Sequence, residues 1–196
     1  VPRAPDLLLM RADPAGPRDE WVRASRRAAV PAGTLPRQLL TFSRRPGILP
    51  KVLDVNVVVA EMEPMLRRVV SANISFELHC GPGAGLVTAD QTNLEQVLLN
   101  LAIHAADSMP HGGTLRVTTD GTTVDEDFAS TRGGVSTGRY SRIRVRDSGA
   151  GMDRDTLIHI FDPFFSTNRL GVGTGLRLTT VYEIVQQLNG FIEPES

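Results

Sequence analysis

The sequence predicts a layered α/β sandwich, and two observations predict it. From Lys51 onward the hydrophobic pattern alternates between helical and strand periods, and 41% of the 196 residues are hydrophobic, enough for a core that folds without metal or disulfide staples. Taken in order, Asn56 is placed to cap a helix running from about Val57 to Ser71. Ile74, Phe76 and Leu78 alternate with polar residues as a half-buried strand does, and Leu86-Val87 gives a second short strand. Thr92 followed by Glu95 reads as a capping box opening a long helix that ends near Met109-Pro110. Leu115 and Val117 mark one further strand, Ile143 and Val145 another, with a Gly/Ser/Thr-rich loop expected over Thr119–Gly138. A final helix is predicted over Leu176–Asn189, terminated by Gly190.

The front of the chain differs in kind. Residues 1–46 carry nine arginines against four acidic residues, a net of +5, so that −6 remains for the rest of a chain whose total is −1. Residues 1–34 read as a linker or poorly ordered basic arm, within which Asp19–Val30 has the pattern of a short helix around Trp21. A basic arm can bind nucleic acid, but a solvated segment is the plainer reading, and no nucleic-acid partner is expected. Residues 35–50 read as the last turns of a helix, stopped by Pro46-Gly47, and a linker; residues 51–196 form the main domain.

Composition excludes several classes. No apolar run is long enough for a membrane span, and Leu7-Leu8-Leu9-Met10 is too short for a signal-peptide core, so no membrane contact is expected. A single cysteine, Cys80, makes no intrachain bridge and no CxxC metal site, which fits a reducing, cytoplasmic setting. Lys51 is the one lysine and lies far from any glycine-rich loop, which excludes a phosphate loop of the GxxxxGK[ST] kind.

Three features carry candidate chemistry. At 100° per residue, Asn93, Gln96, Asn100, His104 and Asp107 fall in one narrow row on the long helix, with Leu94, Val97, Leu98, Leu101 and Ala105 on one side and Leu99 and Ile103 on the other. A polar row between two apolar faces needs partners, either an internal hydrogen-bond network or a ligand and metal pocket lined by Asn100, His104 and Asp107. At the end of the Ile143/Val145 strand, Asp147-Ser148-Gly149-Ala150-Gly151-Met152 is either an ordinary turn or a carboxylate that accepts from an exocyclic amine while bare backbone admits a flat ring. Gly171-Val172-Gly173-Thr174-Gly175-Leu176 opens the last helix. Successive backbone N–H groups there make an anion site that needs no lysine, or else a flexible hinge.

With Phe161-Asp162-Pro163-Phe164-Phe165-Ser166-Thr167 between the last two, these features occur in an order that resembles the histidine-kinase branch of the GHKL ATP-binding fold. The resemblance covers about Leu35 to Glu193 and is closest to hybrid sensor kinases, in which a segment like Leu39–Arg45 ends the dimerisation hairpin. It implies a two-layer sandwich with a mixed or antiparallel sheet, holding ATP and Mg²⁺ between the long helix and a lid. Asp147 would take the adenine amino group, and Gly149 and Gly151 would admit the ring. Gly171, Gly173 and Gly175, with Thr167, Thr174 and Leu176, would wrap the phosphates. Asn100 and His104 would serve catalysis and the metal, and Asp107 would line the same pocket. Implied partners are an acceptor-histidine dimerisation domain and a response-regulator receiver domain, with room for a homodimer.

Departures matter as much. The family's metal-binding asparagine falls on His104, whose imidazole is a poor ligand for Mg²⁺; Asn168 replaces a frequent lysine; and Arg177 stands where a glycine usually follows the last loop, either crowding the lid or supplying a cation for phosphate. Asn100 rather than glutamate favours phosphoryl transfer over hydrolysis. None of His79, His104, His111 or His159 sits in an acceptor-helix pattern, so the phosphoryl acceptor is expected elsewhere. Phe191-Ile192-Glu193 is expected to begin the first of two closing strands, the second being missing. The competing reading is a docking or dimerisation module whose catalysis is lost.

Overall fold

A computed structural model describes residues 50–132, 134–165 and 175–196 of the chain. The expected arm and most of the helix end over 35–50 lie outside the described residues, as do Thr167, Asn168, Gly171, Gly173 and Thr174.

The described chain opens with β1 (Lys51–Asp54), which pairs antiparallel with β3 (Leu86–Ala89) in a separate two-stranded sheet. Asp54 ends β1 and caps the helix α1 (Val55–Val69): its Oδ1 accepts from the backbone N–H of Asn56 at 2.8 Å and of Val57 at 3.4 Å. Asn56 is therefore not the cap. It already lies in the helix, where its amide donates to the Gly81 carbonyl at 3.1 Å and accepts from the Thr119 hydroxyl, tying α1 to strand ends. Val55, Val59, Met62 and Leu66 recur at helical spacing and form the buried face.

The main sheet is mixed, in the order β2-β4-β5. The strand β2 (Ile74–Cys80) runs parallel to β4 (Gly113–Val124), with Phe76 opposite Leu115, and β4 pairs antiparallel with β5 (Gly138–Asp147), with Val117 opposite Val145. Ile74, Phe76, Leu115 and Val117 point into the core with α1 and with Leu98, Ala102 and Ala105 of α2 (Gln91–Ser108). The opposite face is wet and carries ion pairs of Arg116 with Glu77 and of Arg142 and Arg144 with Asp120. One apolar face under helices and one solvated face define the expected two-layer sandwich.

Local corrections have identifiable causes. Helix α2 begins under Asp90, which accepts from the N–H of Thr92 at 2.8 Å, so Thr92 lies inside the first turn rather than capping it; the expected end at Met109-Pro110 is where the helix stops. The expected loop after Thr119 is instead strand through Val124, because β-branched Thr118, Thr119, Thr122, Thr123 and Val124 suit a pleated surface and Thr119 is buried. The short helices α3 (Glu126–Ser130) and α4 (Arg154–His159), capped by Asp125 and Asp153, went unpredicted.

The last helix, α5 (Arg177–Gln187), ends in a Schellman motif. Asn189, at φ +55°, takes the left-handed position; its N–H reaches the Gln186 carbonyl, and that of Gly190 reaches Val185. Phe191–Glu193 forms no strand; its place is fixed by the Phe191 ring on Phe128 and Tyr140, at 5.4 and 5.5 Å between centroids, and by an ion pair of Glu193 with Arg132. Helix α5 packs on α2 through a second cluster in which Val97, Val181 and Ile184 are buried, with Leu101, Val185, Leu188 and Ile192 around them. Among the described residues, no helix is long and apolar enough to cross a membrane.

Candidate functional site

Helix α2 is held from two sides, by the sheet and α1 through Leu98, Ala102 and Ala105, and by α5 through Val97 and Leu101. Its polar row is confined between those faces. Asn93, Gln96, Asn100 and His104 are half-buried, and Asp107 is exposed. Burial holds the His104 imidazole below its usual range; the negative charges of Asp147 and Asp107 oppose this, and the positive charge of Arg177 adds to it. Burial thus biases the half-buried imidazole toward its neutral form.

Strand β5 delivers Asp147 to the same place. The Asp147 Oδ1 accepts from the Gly149 N–H at 2.8 Å and lies 3.0 Å from the Ser108 hydroxyl, at the end of α2. The second oxygen, Oδ2, has no hydrogen-bond partner among the described residues. Gly149 is required sterically: a Cβ there would sit 2.3 Å from the Ser108 Oγ and 2.7 Å from the Asp147 Oδ1. Gly151, at φ +70°, follows on the exposed side of the turn. The turn thus offers a fixed carboxylate with one open acceptor oxygen beside bare backbone, which suits a planar group bearing an N–H donor.

The Phe-rich segment is locked to the start of α5. The Phe164 N–H donates to the Gly175 carbonyl at 3.2 Å, and the Thr179 hydroxyl donates to the Phe161 carbonyl at 3.1 Å. Phe161 packs on Tyr182 with centroids 5.4 Å apart. Gly175 adopts φ +65°, and a Cβ there would fall 2.5 Å from the Phe164 carbonyl carbon, so the close approach depends on its being glycine. Leu176 is half-buried and precedes α5 without a side-chain cap. Arg177, the first helical residue, forms an ion pair with Asp107 across the two helices.

The structure therefore brings together His104, Asp107, Asp147 and Gly149, with Asn100 one helical turn before His104. Thr167, Gly171, Gly173 and Thr174 lie outside the described residues. Sequence reasoning missed one participant, Ser108, and one contact, that of Arg177 with Asp107. Ser108 was findable, because it falls four residues after His104 on the continuing polar row. The pairing of Arg177 with Asp107 joins residues 70 apart, and no local signal announces it.

Magnesium wants several hard oxygen ligands. Among the described residues no group of three or more His, Cys, Asp and Glu could hold a metal ion. Asn100 offers one amide oxygen, His104 offers a ring nitrogen, Asp107 is engaged by Arg177, and Asp147 has its Oδ1 taken by Ser108 and Gly149, which leaves Oδ2. This donor set does not fit Mg²⁺.

Residues 89–196 match the sequence profile of the histidine kinase-, DNA gyrase B-, and HSP90-like ATPases. The chain belongs to that ATPase family. Within the family it is similar to the sensor kinase CckA of Brucella abortus, at 37% identity over 97% of this chain, and it spans 20% of that relative's length. Among solved structures the fold is shared with full-length ShkA in complex with AMPPNP (21% identity, TM-score 0.62, 91% of this chain and 36% of ShkA). It is shared too with histidine kinase ThkA in complex with the response regulator protein TrrA (19% identity, TM-score 0.56, 95% of this chain and 50% of that one). Family membership and the sandwich of the histidine-kinase type are thus as the sequence motifs implied.

Proposed function

We propose that residues 51–196 are the ATP-binding catalytic domain of a sensor histidine kinase, which presents the γ-phosphoryl group of ATP to a histidine carried by another segment. The observation that carries this reading is the Asp147 carboxylate at the end of β5, oriented by Ser108 and Gly149 with Oδ2 left to accept from the adenine amino group. Gly149, with Gly151 beyond it, keeps side chains off the ring, and the polar row of α2 from Asp107 back to Asn100 lines the path of the phosphates. The glycine run from Gly171 to Gly175, with Thr167, Thr174 and Leu176, would close over them. Catalysis in such a site is positioning and charge stabilisation rather than covalent chemistry by the protein.

In the same reading, residues 1–34 are a basic arm and 35–50 the end of a dimerisation helix and its linker. The acceptor domain and a receiver domain are the partners, the kinase works as a homodimer, and its setting is the cytoplasm. The complexes of ShkA with AMPPNP and of ThkA with a response regulator are the support for nucleotide and partner. The usual companion of ATP, Mg²⁺, finds among the described residues of this site the Asn100 amide oxygen and the Asp147 Oδ2 as hard donors not already paired, too few to hold it, and no step depends on it.

Calorimetric titration with ATP tests the reading. Saturable binding that Asp147→Ala abolishes, together with phosphoryl transfer to an added acceptor-helix fragment, supports it. Unchanged binding in that variant refutes the adenine contact, and an absence of nucleotide binding leaves the docking-module reading.

A further inference from the structure

We propose that Arg177 supplies the positive charge that holds the nucleotide's polyphosphate in this chain, so that ATP is bound without a divalent metal. The inference rests on the nucleotide reading above and goes beyond it in naming what neutralises the phosphates.

The argument begins with what surrounds the guanidinium. Arg177 stands at the first position of α5 with its side chain 28% exposed, drawn across to Asp107 on α2. Its charge is felt at His104, and so are the charges of Asp147 and Asp107, which puts all four groups in one electrostatic neighbourhood. That neighbourhood contains the carboxylate assigned to adenine and the polar row assigned to the phosphates. An anionic chain laid from Asp147 along α2 meets Arg177.

The same observations disfavour a metal. Two carboxylates are present, but Asp107 is neutralised by Arg177 and the Oδ1 of Asp147 is taken by Ser108 and Gly149. A dication entering beside a fixed guanidinium would be repelled by it. The imidazole of His104 supplies a ring nitrogen and no hard oxygen.

A guanidinium is well suited to the substitution. It is permanently charged, weakly hydrated and planar, and it offers paired N–H donors that match two phosphate oxygens at once. Its present partner is replaceable: the Asp107 side chain is 44% exposed, and an ion pair that open to water holds little net free energy. A triphosphate carries several charges against one on Asp107. Asp107 thus acts as a positioning residue that keeps Arg177 turned into the pocket until nucleotide arrives.

The test is titration of the full chain with ATP in EDTA and in Mg²⁺, with adenosine as a probe that lacks phosphates. The wild type should bind ATP in EDTA within about threefold of its affinity in Mg²⁺, and Arg177→Gln should weaken ATP in EDTA by about tenfold or more while leaving adenosine unchanged, as loss of a charge-assisted contact to phosphate requires. Arg177→Lys, which keeps the charge and loses the fork, should recover part of the affinity. Binding of ATP by the wild type only in Mg²⁺ overturns the proposal. So does an Arg177→Gln variant that binds ATP in EDTA as tightly as the wild type or more tightly, since the arginine would then be shielding the pocket. If adenosine binds and Asp147→Asn abolishes it while Arg177→Gln changes nothing, the nucleotide reading stands and this inference alone fails. If neither adenosine nor ATP binds, both fall.

Discussion

The hydroxyl of Ser108 lies 3.0 Å from the carboxylate of Asp147, joining the end of the long helix to the end of the edge strand. The same hydroxyl is 2.7 Å from the Ala105 carbonyl within its own helix, so Ser108 is fixed by α2 before it meets β5. The proposed adenine acceptor is therefore oriented by a residue that need not touch the ligand. Replacing Ser108 with alanine should cost about 1 kcal/mol of stability, the ordinary net value of a part-buried hydrogen bond, because Gly149 still satisfies Oδ1. ATP affinity should fall several-fold as Asp147 gains rotational freedom. Urea unfolding and calorimetry on the same variant check both halves, and an unchanged affinity would detach Ser108 from the site.

Gly149 should be far less tolerant. A methyl group there meets the Ser108 Oγ, the Asp147 Oδ1 and the Ser108 carbonyl oxygen, all within 2.8 Å, so Gly149→Ala must displace backbone as well as side chain. A loss of about 1–3 kcal/mol, as for other overpacked sites, should accompany loss of ATP binding. Adding Ser108→Ala removes the nearest obstacle, so the double variant should be more stable than the sum of the two single changes. Strict additivity in thermal unfolding would contradict the geometry.

How much of this was legible in the sequence follows from what kind of signal each feature emits. The strand of Ile74, Phe76 and Leu78 and the long helix after position 90 announce themselves through periodicity, because burial on one face imposes it. Caps were misassigned by two residues at both Asn56 and Thr92, since Asp54 and Asp90 are equally good acceptors and only the backbone angle decides between them. The strand over Thr119–Val124 was hidden because threonine and glycine write both loops and strands, and tertiary pairing with β5 settled the matter. At the candidate site, the placing of Asp147 and Gly149 at a strand end was readable. The partnership of Arg177 with Asp107 was not, because an ion pair between distant residues leaves no local pattern.

His104 predicts a pH dependence. Burial depresses its folded-state pKa below the ordinary value of 6.5, so between the two values the unfolded chain binds more protons than the folded one. Stability from this residue is therefore fully present above pH 6.5 and declines as the pH falls through the folded pKa. The groups that face it are Asp147 and Asp107, which soften the depression, and Arg177, which deepens it. The carboxylates held low by hydrogen bonds to Arg142 and Arg116, Asp120 and Glu77, lose their contribution only at lower pH, starting from their ordinary values of 3.8 and 4.5. Stability curves of wild type and His104→Asn should therefore run parallel above pH 7 and diverge below 6.5, the wild type falling faster. Parallel curves throughout would mean that the imbalance in proton binding is absent.

Val181 gives the last test, because it ties stability to the site. It is fully buried at the seam of α2 and α5, packed with Val97 and Ile184 in a cluster separate from the main core. Truncation to alanine should cost about 1–3 kcal/mol, the range for deleting buried methyl groups with little collapse. Leu115, equally buried but under the sheet, should cost about 2–5 kcal/mol when truncated to alanine. The two differ in what they loosen. Val181→Ala slackens the helix that carries Arg177, so ATP affinity should fall even at temperatures where the chain remains folded. Leu115→Ala should leave the affinity of the folded fraction near that of the wild type. Hydrogen exchange should likewise rise first in α5 for Val181→Ala, and across β4 and its neighbours for Leu115→Ala. Equal losses of affinity in the two variants would show that α5 has no privileged connection to the phosphate side of the pocket.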